Sequence, residues 1–187
     1  MGNYLTILLC CFLHSSSDTR EHVKVNASEP MEAFVVGKPT QTAQWQITPT
    51  IRVCTESGVS VSRTARALRY WEKLGYRFDG IAGDPFSMCS NPRFGEILIT
   101  LPESGFKDIH MASTRLYTST KTGEIVKAKI FMLPKNAHKD RVLEHEIGHA
   151  LGWSHYPQRY HIMHPTWRLG GWDSHGIRKR ELTLMLE

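Results

Sequence analysis

The stretch whose reading decides the fold is His145-Glu146-Ile147-Gly148-His149-Ala150-Leu151-Gly152-Trp153-Ser154-His155. His145 and His149 stand four residues apart, so on an α-helix their imidazoles leave the same face and can grip one metal ion. Glu146, one position along, turns its carboxylate toward the metal's open coordination position, where a general base for a metal-bound water belongs. Gly152 permits the backbone conformation that ends a helix and reverses the chain. The reversal lets His155 arrive as a third ligand from outside the helix. Three neutral imidazoles plus a water leave the fourth position open, which is a catalytic zinc arrangement; a structural zinc would want a fourth protein ligand and has no use for Glu146. Zinc so held lowers the pKa of its water toward ~7 and polarises a carbonyl, chemistry that suits amide hydrolysis. Five fixed residues in eleven positions, at usages of roughly one in twenty, arise by chance in fewer than about one chain in a thousand.

Upstream, the helix carrying this run is expected to begin near Asn136 to Asp140 and to continue to Leu151. Before it, Met111 to Ser119 and Glu124 to Met132, joined by Lys121-Thr122-Gly123, read as a β-hairpin. Gly95 to Leu101, Tyr76 to Ile81 and Ile47 to Thr55 read as three further strands. Ser60 or Ser62 caps a helix that runs to about Leu74 and is stopped by Gly75. Val61, Ala65, Leu68 and Trp71 or Tyr70 give it one apolar face. The order of strand, helix, several strands and helix describes a small α/β (α+β) domain with a mixed sheet. After Gly152 the chain is irregular and rich in His, Pro, Gly and Trp. A short helix over Ile177 to Leu186 closes it.

A chain of 187 residues with 41% hydrophobic and 22% charged residues has material for one core. No apolar run reaches the roughly 18–20 residues of a membrane-spanning helix. The net charge of +5 is spread along the sequence, and only Arg178, Lys179 and Arg180 form a tight run. A solvated basic surface is therefore expected, with no nucleic-acid partner. Residues 1–17 form a possible signal or anchor segment. Tyr4 to Leu13 have the length of a signal-peptide core and are followed by Ser15, Ser16 and Ser17, without a basic residue ahead. Met1-Gly2 with Thr6 also fits a loose myristoylation pattern, with Cys10 and Cys11 nearby. Residues 18–45 read as a linker or a short propeptide. They contain Asp18, Glu21, Glu29 and Glu32, any of which could ligate the metal and block it. Residues 46–187 form the catalytic domain. Cys54 and Cys89 either form one disulfide or remain two buried thiols. His22, His138 and His175 read as surface residues.

The eleven-residue run resembles the extended zinc signature of the metzincins, a family of zinc peptidases. His161-Ile162-Met163-His164-Pro165 resembles that family's Met-turn, with Met163 eight residues after His155 as in many matrixins. The resemblance is strong over His145 to Trp167 and elsewhere rests on the order of elements from Gln46 to Glu187. It implies a mixed five-stranded sheet, a zinc-binding active-site helix and a C-terminal helix. The sequence departs from the family in three places. No structural zinc and calcium loop is visible around Ser104 to His110. Residues 18–45 hold no Cys of the kind that caps the metal in matrixin propeptides. Pro165 stands where astacin-like relatives have Tyr.

The expected function is a zinc-dependent endopeptidase with one catalytic Zn2+. His145, His149 and His155 are its metal ligands, Glu146 the general base and Met163 the Met-turn residue. The resemblance implies that a polypeptide substrate lies antiparallel to the strand at the cleft edge, which suggests Ala112, Ser113 and Thr114 as substrate contacts. Tyr156, Tyr160 and Trp167 are candidate walls of a pocket near the metal, and His161 and His164 flank Met163. A monomer, secreted or in the cell envelope, is expected. The rival readings are a zinc amidase acting on cell-wall peptides, suggested by small size and positive charge, and a non-catalytic binding protein with the same fold. Glu146 argues against the second, because a scaffold needs no base.

Overall fold

A computed structural model describes residues 4–9, 37–85, 89–102 and 111–178. The chain is a mixed α/β domain. Its elements are β1 (Tyr4–Leu9), β2 (Thr50–Cys54), α1 (Val61–Glu72), β3 (Ile81–Asp84), β4 (Glu96–Thr100), β5 (Ala112–Ser119), β6 (Ile125–Met132) and α2 (Val142–Ala150). Strands β2 to β6 make the five-stranded mixed sheet. It is parallel between β3, β2, β4 and β6, and antiparallel where β5 returns along β6. β1 adds a sixth strand on the outer edge of β5, antiparallel, from Tyr4 opposite Ser119 to Leu9 opposite Thr114. Of the segment expected as a signal or anchor, Tyr4–Leu9 lies against the sheet, and the rest falls outside the described residues.

α1 starts where Ser60 accepts a hydrogen bond from the backbone N–H of Arg63 at 3.1 Å, and the chain leaves it through Gly75 at φ 94°. Its buried face is Arg63, Thr64, Ala67, Leu68 and Trp71, while Val61 stays 43% exposed. The expected face therefore turns by part of a helical step. The reason is Arg63, which is drawn inward to pair with Glu144. The strand expected over Tyr76 to Ile81 begins instead at Ile81. Tyr76 lies against Trp71 with ring centroids 5.6 Å apart, and its hydroxyl accepts from Trp153 Nε1 at 2.8 Å, so it plugs the core. α2 also starts later than expected. A 3-10 turn over Pro134–Asn136 comes first, and Arg141 at φ 69° interrupts the helical path just before Val142. The closing helix expected over Ile177 to Leu186 falls almost entirely outside the described residues, as do Asp18, Glu21, Glu29 and Glu32.

The main core lies between the sheet and the two helices and includes Ile51, Trp71, Ile97, Ile130, Leu143, Ile147 and Met163. The other face of the sheet is built differently. Cys54 and Cys89 form a disulfide beside Leu98. Arg52 donates to both oxygens of Glu96 at 2.8 and 2.7 Å, and Lys129 Nζ donates to Ser90 O at 2.8 Å. The segment expected to end a linker near residue 45 is already part of the body. Thr42 N donates to Gly152 O, Gln41 Nε2 to Leu151 O and Trp45 Nε1 to Ala150 O, all at 2.8–2.9 Å. These donors satisfy carbonyls that the end of α2 leaves without helical partners.

Candidate metal centre

α2 presents His145, Glu146 and His149 from one stretch of helix. Gly152, at φ 91°, turns the chain back, with its N–H on His149 O at 2.8 Å and the next N–H, of Trp153, on Gly148 O at 3.0 Å. A side chain at Gly152 would strike Ala43 O, so the turn needs glycine both for its φ and for its neighbour. The turn delivers His155. His149 Nε2 lies 3.0 Å from His145 Nε2 and 3.1 Å from His155 Nε2. Three histidine ligand atoms therefore gather where one metal ion can bind.

The tautomers are set by what lies behind the rings. His145 Nδ1 is 2.7 Å from Ile162 O, and His149 Nδ1 is 2.7 Å from Trp153 O. A carbonyl can only accept, so each Nδ1 carries the proton and each Nε2 faces its neighbours with a lone pair. Lone pairs packed this closely repel unless a cation lies between them. Zn–N bonds of ~2.0–2.1 Å in tetrahedral geometry would hold nitrogens about 3.3 Å apart, close to the separations here. The residues fit a metal ion.

Electrostatics point the same way. Burial pushes the His145 imidazole down to about 3, and repulsion from His155, His164 and His161 adds to it against the hydrogen bond to Ile162. Burial, then His145 and His155, holds His149 well below the ordinary histidine range. Burial and His164 lower His155 as well. The three rings are therefore neutral at neutral pH, which is the form that ligates.

Met163 forms the floor. It is fully buried, its N–H donates to His161 Nδ1 at 3.1 Å, and its carbonyl accepts from Tyr156 N at 2.9 Å. Gly148 of α2 lies directly over it. A Cβ at residue 148 would overlap Met163 Sδ and come within 2.7 Å of the Trp71 ring, so only glycine lets helix, tryptophan and methionine meet. His161 is fully buried in this turn, and its Nε2 lies 3.3 Å from His175 O.

Glu146 is 2% exposed, and its Oε2 accepts from Thr114 Oγ1 at 2.6 Å. Beside His145 and Glu146 a small cleft is walled by Met111, Arg141, Val142, Ile162, His164, Pro165 and Trp167. Arg141 braces that wall. Its Nη1 donates to Trp167 O at 3.2 Å and to Gly170 O, and its guanidinium lies 5.0 Å from the Trp167 ring centre. Trp167 Nε1 donates to Asp140 O at 3.0 Å.

The structure brings together His145, Glu146, His149, His155, Met163 and Trp167. Ala112, Ser113 and Thr114 lie on β5 with their side chains buried; β6 pairs with all three, and Leu9 of β1 lies opposite Thr114 on the other side. Tyr160 is 61% exposed at φ 66° and does not line the cavity. Sequence reasoning did not single out Arg141 and Val142, and it named Met111, Ile162 and Pro165 only as parts of the edge strand and the Met-turn segment. Val142 was within reach, because it precedes His145 by three residues on α2 and so shares its face. Comparison with known proteins returns no match to any family, any curated protein or any solved structure.

Proposed function

We propose that this chain is a zinc-dependent endopeptidase of the metzincin kind, acting on polypeptide. One observation carries the reading: two Nδ1–H groups tied to carbonyls aim their Nε2 lone pairs at a point shared with His155, beside a buried carboxylate one residue along the same helix. His145, His149 and His155 hold the ion. Zinc, when bound, supplies a Lewis acid for the scissile carbonyl and makes an adjacent water more acidic. Glu146 takes the proton of the attacking water and returns it to the departing amine, so one carboxylate serves as base and then as acid. The cavity between Val142, Ile162 and Trp167 receives the side chain next to the scissile bond, and its apolar lining selects an apolar residue.

The substrate backbone extends antiparallel to β5, as an added strand gains main-chain hydrogen bonds along a sheet edge. β1 lies on that edge from Leu9 onward, so longer substrates compete with Tyr4–Leu9 for it. The Cys54–Cys89 disulfide suits an oxidising compartment and favours secretion or the cell envelope. A peptide-library cleavage profile with and without chelator, run beside elemental analysis, tests the reading. Chelator-sensitive internal cleavage with one zinc per chain is expected. A zinc-loaded protein that cuts no peptide, or cleavage indifferent to the chelator, would overturn it.

A further inference from the structure

We infer that Thr114 is a positioning residue for Glu146, an inference that rests on the peptidase reading above. Along β5, Ala112, Thr114, Leu116 and Thr118 are buried, and α2 packs on this strand. A hydroxyl at this fully buried position costs stability unless it is hydrogen-bonded. Both oxygens near it belong to one residue: Thr114 Oγ1 lies 2.6 Å from Glu146 Oε2 and 3.1 Å from Glu146 O. A carbonyl and an ionised carboxylate only accept, and the hydroxyl has one proton. The 2.6 Å separation is the length of a charge-assisted O–H···O⁻ bond, so the proton goes to the carboxylate.

The two side chains differ in freedom. Threonine is β-branched and stiff at its first torsion, and here the sheet holds its backbone. Glutamate has three torsions to fix. The strand therefore sets the plane of the Glu146 carboxylate through Oε2 and directs its other oxygen, so that the base is in place before substrate arrives. Valine has the same shape as threonine and lacks only the hydroxyl, so the position separates packing from hydrogen bonding.

The test compares Thr114→Val with Thr114→Ser. Loss of a hydrogen bond to a charged group is worth about ten- to hundredfold in rate. Thr114→Val should lower kcat by that factor, with KM within about twofold and zinc content unchanged. Thr114→Ser, which restores the hydroxyl, should recover kcat to within about threefold. In a Glu146→Gln background, Thr114→Val should cost nothing further. Independently of turnover, a crystal structure of Thr114→Val should show the Glu146 carboxylate displaced or spread over several rotamers, with His145, His149 and His155 unmoved. If Thr114→Val does not fold, Thr114→Ala removes the same hydroxyl and is read in the same way. An unmoved Glu146 carboxylate in the Val or Ala variant overturns the inference even if the chain proves not to be a peptidase. Equal impairment of Val and Ser variants overturns it too, because packing alone would then be at stake.

Discussion

Glu144 and Glu146 lie two residues apart on α2, both buried at 3% and 2% exposure, and the protein gives them different surroundings. Glu144 faces α1, where Arg63 grips both its oxygens at 2.8 and 2.7 Å and Trp71 Nε1 donates to its backbone carbonyl at 2.8 Å. That carboxylate is neutralised by a bidentate guanidinium and joins two helices. Glu146 faces β5 and the cavity beside the histidines, and Thr114 Oγ1 on the sheet donates to its Oε2. The first carboxylate is committed to a contact between two helices. The second lines the cavity next to the candidate metal ligands. The difference separates a structural group from a candidate catalytic one more sharply than burial does.

The largest expected effect lies on the structural flank. Arg63→Met leaves Glu144 charged, buried and without its guanidinium, and breaking such a pair costs about 3–5 kcal/mol. Denaturant unfolding should show that loss, while activity per folded, zinc-loaded molecule stays within about threefold of the parent. A variant as stable as the parent would mean that Glu144 is not what anchors α1 to α2.

Glu146→Gln should do the reverse. Turnover should fall by about 10²-fold or more, equivalent to about 2.7 kcal/mol in the barrier, while zinc and fold are kept. Elemental analysis beside kinetics checks this. Zinc lost together with activity would show that Glu146 ligates the metal, and the contrast between the two glutamates would collapse.

The histidines give the comparison a pH dependence that can be read without substrate. In the metal-free protein His145 is held down to about 3 and His149 and His155 are also lowered, chiefly by burial. The unfolded chain takes up protons near 6.5 while the folded chain does not, so stability is fullest above that value and is lost as pH falls from about 6.5 toward 3. The melting temperature of the metal-free protein should drop by roughly 4 °C between pH 7 and pH 5, the size that 1–2 kcal/mol produces in a chain of this length. Zinc at saturation should oppose that drop, since it binds the folded neutral rings. A metal-free protein whose melting temperature is flat over this range would show that the three rings are not buried neutral.

Which parts could be read from sequence follows the same division between local and distant. The metal set was legible because His145, Glu146, His149, Gly152 and His155 act through helical spacing and one turn. The hairpin of β5 and β6 was legible from its turn and its alternating strands. Thr114 and Glu146 are 32 residues apart, and Arg63 and Glu144 are 81 apart. No local pattern pairs them. Tyr76 to Ile81 read as a strand, yet Tyr76 was needed against Trp71. The strand that does form, Ile81–Asp84, contains Gly83 and Asp84, poor strand residues accepted at the sheet's edge. The disulfide depended on whether the end of β2, at Cys54, and the loop before β4, at Cys89, came together, which spacing alone left open.

The smallest expected effect concerns the floor beneath Gly148. Met163 is fully buried under Gly148, with the Trp71 ring on the same bare patch of helix. Its side chain makes no hydrogen bond that activity would require, and its work is to fill space. A swap of similar volume such as Met163→Leu usually costs under ~1.5 kcal/mol. Leucine branches at Cγ where methionine runs on unbranched, so some loss is expected where the helix approaches most closely. Activity should fall less than about tenfold, zinc should remain, and the melting temperature should drop by no more than about 6 °C. Gly148→Ala attacks the same contact from the helix side, and there backbone would have to move as well as side chain. It should therefore cost more than Met163→Leu, and thermal melts of the two variants side by side check the order. If Met163→Leu were instead stable, zinc-loaded and inactive, the sulfur would have a direct part in the chemistry, and the floor would belong with Glu146.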